Sequence, residues 1–175
     1  MSTVGGGCLG AGLVFLSRPS VAASAWSGRY VFTGGKRQEE RRREAIEKVV
    51  QEVNVLIRGL ARERITEGTA PNTPLDMHVD PAANEAWLVA PRMPRIQGPI
   101  SGVPFRWKSA EGDRNVVSFT WSEDVLVTRF RGDGADSRYE YRFNPDEGAM
   151  TLSAVIRHRL MPLPLRFRQS YRRIR

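Results

Sequence analysis

The sequence predicts a mainly β domain: an antiparallel up-and-down β-barrel of about eight or nine short strands, flanked or capped by one long helix. Three observations lead there. First, the stretch from Asn115 to Arg173 alternates apolar and polar side chains with the period of two that gives each strand one wet and one buried face. Val117, Phe119 and Trp121 share such a face, as do Tyr139, Tyr141 and Phe143, and Met150, Leu152, Ala154 and Ile156. Second, turn-formers separate the runs: Ser122-Glu-Asp124, Gly132-Asp-Gly134, the stretch from Asn144 to Gly148, and Met161-Pro-Leu-Pro164. Third, a helical period occurs only after Lys36. A meander of half-apolar strands hides its apolar face most simply by curling on itself.

Taken in order, residues 1–25 read as a leader. A small apolar run ends in Ala23-Ser24-Ala25, the small-x-small pattern a signal peptidase reads, with cleavage before Trp26. This predicts export to a periplasmic or extracellular space. Because Arg18 follows the apolar run and no basic residue precedes it, a disordered leader of a cytoplasmic protein or a misplaced start is the alternative. Cys8 lacks the large aliphatic residue, three positions earlier, that lipidation requires.

Residues 26–175 form the single expected domain. Residues 26–32 read as a first strand with Trp26, Tyr30 and Phe32 on one face, ended by Gly34-Gly35. Over residues 36–65, Ile46, Val49, Val50, Val53, Leu56, Ile57 and Leu60 recur at three- and four-residue spacings and predict one helix. Such a helix is unstable alone and must lie on an apolar surface. After a Pro/Asn/Thr turn at 68–74, residues 75–79 and 85–90 read as strands. Residues 91–102, with Pro91, Pro94 and Pro99, read as a loop or irregular edge. Residues 103–107 resume as a strand that leads into the meander.

Composition narrows function mainly by exclusion. A chain of 175 residues suits one domain with a proper core, and no apolar run can span a bilayer as a helix of the mature chain. The net charge is +8, but of 27 basic residues only Lys36, Lys48 and Lys108 are lysine, a bias that codon composition alone produces. The arginines are spread over helix and strands, without the dense stripe of nucleic-acid binders, so no nucleic-acid partner is expected. Cys8 has no second cysteine with which to form a disulfide or a metal site. His78 has Asp76 and Asp80 on its own strand face, which is ordinary for an exposed polar face; a two-histidine metal site would need the strands of His78 and His158 to be adjacent. No nucleophile elbow or Walker loop occurs, and the carboxylates at Glu123/Asp124 and Asp146/Glu147 sit in turns. Neither a catalytic residue, a metal nor a cofactor is expected.

Several short motifs resemble the lipocalin and fatty-acid-binding-protein group of barrels. Trp26-Ser-Gly28-Arg-Tyr30 is similar to the Gly-x-Trp signature of their first strand, with Tyr in place of Trp. Arg168-Gln-Ser-Tyr171-Arg-Arg173 is similar to their last strand, whose basic residues pack across the first. The resemblance implies a lipocalin-like barrel over residues 26–175. It departs in two places. The helix after the first strand reads as single, where fatty-acid-binding proteins carry a helix-turn-helix lid. Their last strand also uses Arg-x-Tyr to hold a carboxylate, and aligning Tyr171 puts Gln169 in the Arg position.

A barrel of about eight strands either encloses one small ligand or is filled by its own side chains. The candidate ligand-binding inner face is Phe119, Trp121, Tyr139, Tyr141, Phe143, Gln169 and Tyr171, with Phe167 beside them. The expected function is non-enzymatic binding of a small apolar or amphipathic molecule. The alternative is a filled barrel that serves as a structural or interaction module of the cell envelope.

Overall fold

Antiparallel pairing runs from each strand to the next in sequence, with one exception, and the first strand pairs with the last. In the computed structural model, which describes residues 25–132 and 134–174, ten strands form one sheet in the order β4-β3-β2-β1-β10-β9-β8-β7-β6-β5. They are β1 Gly28–Phe32, β2 Leu75–Asp80, β3 Glu85–Ala90, β4 Met93–Pro99, β5 Phe105–Lys108, β6 Arg114–Ser122, β7 Val125–Gly132, β8 Ala135–Asn144, β9 Ala149–His158 and β10 Leu165–Ile174. The reading of residues 1–25 as an export leader lies, except for Ala25, outside the described residues, as do Asp133 and Arg175. No helix of the described residues is long and apolar enough to cross a membrane.

The strand count exceeds the expected eight or nine because the proline-rich stretch, expected as a loop or irregular edge, is an edge strand, β4. Its Gln97 and Ile96 pair with Trp87 and Leu88 of β3, and a register shift between Leu88 and Ala90 absorbs the irregularity. This strand can hold prolines because it is an edge strand. Only β3 bonds to β4, so a proline facing the other side costs no ladder bond.

The seam between β4 and β5 is closed differently at its two ends. At one end the chain beyond β4 crosses to β6: Gly102 N–H donates to Phe119 O (2.8 Å) and Trp121 N–H to Ile100 O (3.2 Å). Further along, side chains fill the space. The Phe105 ring occupies the position where a Cβ on Gly98 would sit, at 2.3 Å, and Trp107 Nε1 donates to Arg95 O (3.3 Å).

The expected single helix is a helical hairpin. Helix α1 (Gly35–Gln51) stops as Glu52 and Val53 tighten onto Val49 and Val50; a short 3-10 turn, Val55–Ile57, then leads into α2 (Arg58–Gly68). Asn54 drives the break, since its side chain accepts a hydrogen bond from Leu56 N–H (3.0 Å) and starts a new turn. The apolar stripe therefore divides. Ile46, Val49, Val50 and Val53 are buried against Leu165 and the open end of the barrel, whereas Leu56 is 89% exposed and Leu60 53%. A three-to-four-residue spacing predicts a common face only while the helix axis continues.

Polar contacts join the hairpin to itself and to the barrel. Glu47 pairs with Arg62 across the hairpin (2.6 Å). Gln38 donates to Ser170 Oγ and accepts from Ser170 N–H, which fixes α1 along β10. The most buried link is Arg42, whose guanidinium donates to Thr66 O (3.1 Å), Thr69 Oγ1 (2.8 Å) and Glu39 Oε2 (2.8 Å). Arg42→Met is expected to cost about 2–4 kcal/mol, because Glu39 and the end of α2 then lose a buried charged partner. Urea unfolding monitored by circular dichroism would measure it, and a loss below about 0.5 kcal/mol would contradict this account.

Candidate functional site

The sheet register places the apolar alternation of every long strand on the inner wall. Phe119 lies opposite Thr128, Thr128 opposite Tyr139, Tyr139 opposite Ala154, and Ala154 opposite Phe167. In the next row Trp121, Leu126, Tyr141, Leu152 and Gln169 face one another, and Phe143, Met150 and Tyr171 follow. All seven sequence-predicted residues therefore share the inner face.

They divide between a packed end and a hollow one. At the end away from the helices, Trp121 meets Trp26 edge-on (centroids 5.0 Å) and Phe143 (5.9 Å), and Phe143 meets Tyr30 (6.0 Å). Trp26 Nε1 donates to Asp124 Oδ1 (2.6 Å), which holds the indole there as a plug. Arg173 crosses the start of β1 and donates to Ala25 O (2.8 Å). Trp121 and Phe143 belong to this packing, Tyr171 stands in the row of Phe143, and Phe119 packs against Phe105 (5.5 Å); none of the four lines the cavity.

Toward the helices the barrel opens into a cavity of about 660 Å³. Tyr139, Tyr141 and Gln169 line it, as does Phe167, together with Leu88, Ile96, Phe130, Leu152 and Ser137. The sequence reading missed Leu88 and Ile96, because β2 and β3 carry the same alternation as the meander but no aromatic cluster to single them out, and β4 read as a loop. The mouth lies between the end of α2, the β3–β4 turn with Arg92, and the β5–β6 turn with Glu111 and Asp113.

The inner polar groups are neutral and largely bonded to one another. Tyr171 O–H donates to Gln169 Oε1 (2.9 Å), and Gln169 Nε2 donates to Thr69 O (3.1 Å) at the end of α2. Burial pushes the Tyr141 phenol far above its ordinary range, with Tyr139 and Tyr171 nearby adding to the shift. Burial raises Tyr139, Tyr30 and Tyr171 as well. The arginines at the cavity, Arg64 and Arg92, are exposed.

The histidines stay apart. His78 (β2) stacks on Trp87 and its Nδ1 is 3.0 Å from Ser27 Oγ, while His158 (β9) accepts from Leu160 N–H. Strands β1 and β10 lie between them, so the adjacency a two-histidine site needs is not met. Among the described residues no group of three His, Cys, Asp or Glu side chains could hold a metal.

No family model and no curated protein matches the sequence. Solved structures do. Apo lipid binding protein 8 of Caenorhabditis elegans superposes with a TM-score of 0.53 at 10% identity, covering 89% of this chain and 99% of its own. A protein described as the REP1-NXSQ fatty acid transporter gives 0.51 at 12% identity, covering 85% and 96%. The fatty-acid-binding protein of Manduca sexta gives 0.50 at 13%, covering 85% and 98%. The chain has the fatty-acid-binding-protein fold. The helix after β1, which the sequence read as single, is a helical hairpin, so that departure from the resemblance does not hold.

The four tyrosines provide a readout of this interior. Their folded-state pKa values are raised, so the neutral phenol is the form that folding favours. That contribution is complete below the ordinary phenol pKa of about 10 and is lost as pH climbs through the raised values. Phenolate absorbance is therefore expected to appear together with loss of circular dichroism in base. Appreciable ionisation of the folded protein near pH 10 would contradict it.

Proposed function

We propose that this protein binds a small apolar or amphipathic molecule inside the barrel, without catalysis. One observation carries the reading: the inner wall of the 660 Å³ cavity, built by Leu88, Ile96, Tyr139, Leu152, Phe167 and Gln169, is apolar apart from neutral hydroxyl and amide groups. The charged lining residues Arg64, Glu67, Arg92, Glu111 and Asp113 belong to the mouth. That volume lies within the range of small-molecule sites, roughly 300–1,000 Å³. The names of two structural relatives, a lipid binding protein and a fatty acid transporter, agree with such a ligand. The filled-barrel alternative describes only the closed end, where Trp26, Trp121, Phe143 and Tyr30 pack together.

The cavity chemistry also shapes the ligand. Gln169 sits deep in the wall and already bonds Tyr171 and Thr69, so no buried cation there meets a carboxylate. A ligand whose inner end is apolar or neutral avoids the cost of an unpaired buried charge. Tyr139, Tyr141, Phe167 and Gln169 are the binding residues of this reading, while Phe119, Trp121, Phe143 and Tyr171 pack behind the cavity wall.

Nile red is expected to bind with a rise in fluorescence and to be displaced by octadecanol at least as readily as by stearate. Leu152→Trp fills the cavity and should weaken binding at least tenfold, about 1.4 kcal/mol. Leu88→Phe is a milder filler should Leu152→Trp unfold the barrel. Unchanged Nile red affinity in a folded filler variant would sink the proposal.

Export belongs to the same proposal. A binding protein of this kind would work outside the cytoplasm if residues 1–25 are removed. Intact-mass measurement of protein expressed with its leader is then expected to find a chain beginning at Trp26; a chain retaining residues 1–25 would refute export by this route.

A further inference from the structure

A second cavity, of about 500 Å³, lies under the hairpin on the side of the β7–β8 and β9–β10 turns. Its wall is apolar: Ile57, Leu60 and Ile65 come from the hairpin, and Ile156, Leu160 and Met161 from the strand end and turn opposite. Arg64, Gly68, Thr69, Ser137 and Tyr139 line both this cavity and the one inside the barrel. The last turn of α2 and the Tyr139 ring are thus a partition that both spaces share.

Two further observations bear on what fills it. Ile57, Leu60 and Leu160 are 39%, 53% and 58% exposed at its rim, an apolar surface that gains about 25 cal/mol per Å² when covered. The shared partition, in contrast, is polar. Ser137 and Tyr139, whose side chains bond to each other, line both cavities together with the exposed Arg64, which makes no ion pair among the described residues. Each cavity alone has the volume of a small-ligand site, and the boundary that they share carries both hydroxyl side chains and a cation, Arg64.

We infer that the two cavities are arms of a single site for an amphiphile with two hydrocarbon chains, one chain in the barrel and one under α2, with its anionic head at Arg64. This rests on the binding function proposed above and extends it. The apolar rim side chains become buried by the second chain. The head stays at the surface, consistent with a barrel wall that holds no buried cation. Thr69 lies at the branch, where Arg42 and Gln169 anchor it from either side.

Native mass spectrometry of the full chain with dioleoyl phosphatidylglycerol and with its monooleoyl lyso form tests the inference. The expected result is one diacyl or two monoacyl molecules per chain. Leu60→Glu combined with Leu160→Glu alters exposed positions, and circular dichroism checks that the fold survives. This variant should keep one monoacyl molecule and lose diacyl affinity at least tenfold; Leu152→Trp should also keep one, the other one. Arg64→Gln should weaken diacyl binding several-fold and flatten its salt dependence. A single monoacyl molecule, lost in Leu152→Trp but unaffected by the double variant, would overturn this inference and leave barrel binding standing. No adduct of either lipid would overturn both.

Discussion

The structure depends on Thr69 being held from two sides. Its hydroxyl accepts from Arg42 and donates to Ile65 O, and its carbonyl accepts from Gln169, which in turn accepts from Tyr171. A continuous run of hydrogen bonds thereby leads from the surface of α1, through the end of α2, into the barrel wall. Each member is buried or nearly so, where an unmet polar group costs about 1–3 kcal/mol. The hairpin cannot lift away without leaving several such groups unpaired. Both cavities meet at this residue, so the contact that secures the lid also sets how much space lies beneath it.

The inner face shows how one sequence pattern serves two purposes. Strands β6 to β10 alternate over their full length, yet the barrel is solid at one end and hollow at the other. The difference lies in which other elements project inward at each level. At the closed end Trp26 and Tyr30 meet Trp121 and Phe143, four large rings packed edge to face or tilted against one another. Toward the open end the partners are Ala154, Ser137 and Thr128, whose small side chains leave Tyr139, Tyr141 and Phe167 standing around a space. Hollowness is thus a property of cross-strand layers rather than of any single strand.

Electrostatics agrees with that division. Polar groups inside are neutral, with Tyr171, Gln169 and Thr69 bonded in series, while the ion pairs of Arg29 with Asp76, and of Arg138 and Arg142 with Glu140, lie outside. Arg42 is the buried exception, and it comes with Glu39 and two acceptors from α2. An excess of arginine is tolerable in such a fold because the period of two sends alternate residues of β7 to β10 into water.

The sequence by itself determined the class of fold and the identity of the inner face. A period of two is a geometric property of extended backbone, so spacing alone assigns Phe119, Trp121, Tyr139, Tyr141, Phe143, Gln169 and Tyr171 to one side. Turn residues likewise marked the meander, because their backbone preferences are local. What tertiary structure decided was everything set by contacts between distant residues. β4 is a strand because β3 bonds to it despite its prolines, and α2 lies back along α1 because Arg42 binds Thr66 and Thr69 and Glu47 binds Arg62. Which aromatic residues pack and which surround space follows from the rows that register assembles across five strands. Local periodicity cannot reveal those rows, since each depends on the relative shift of chains that meet only after folding.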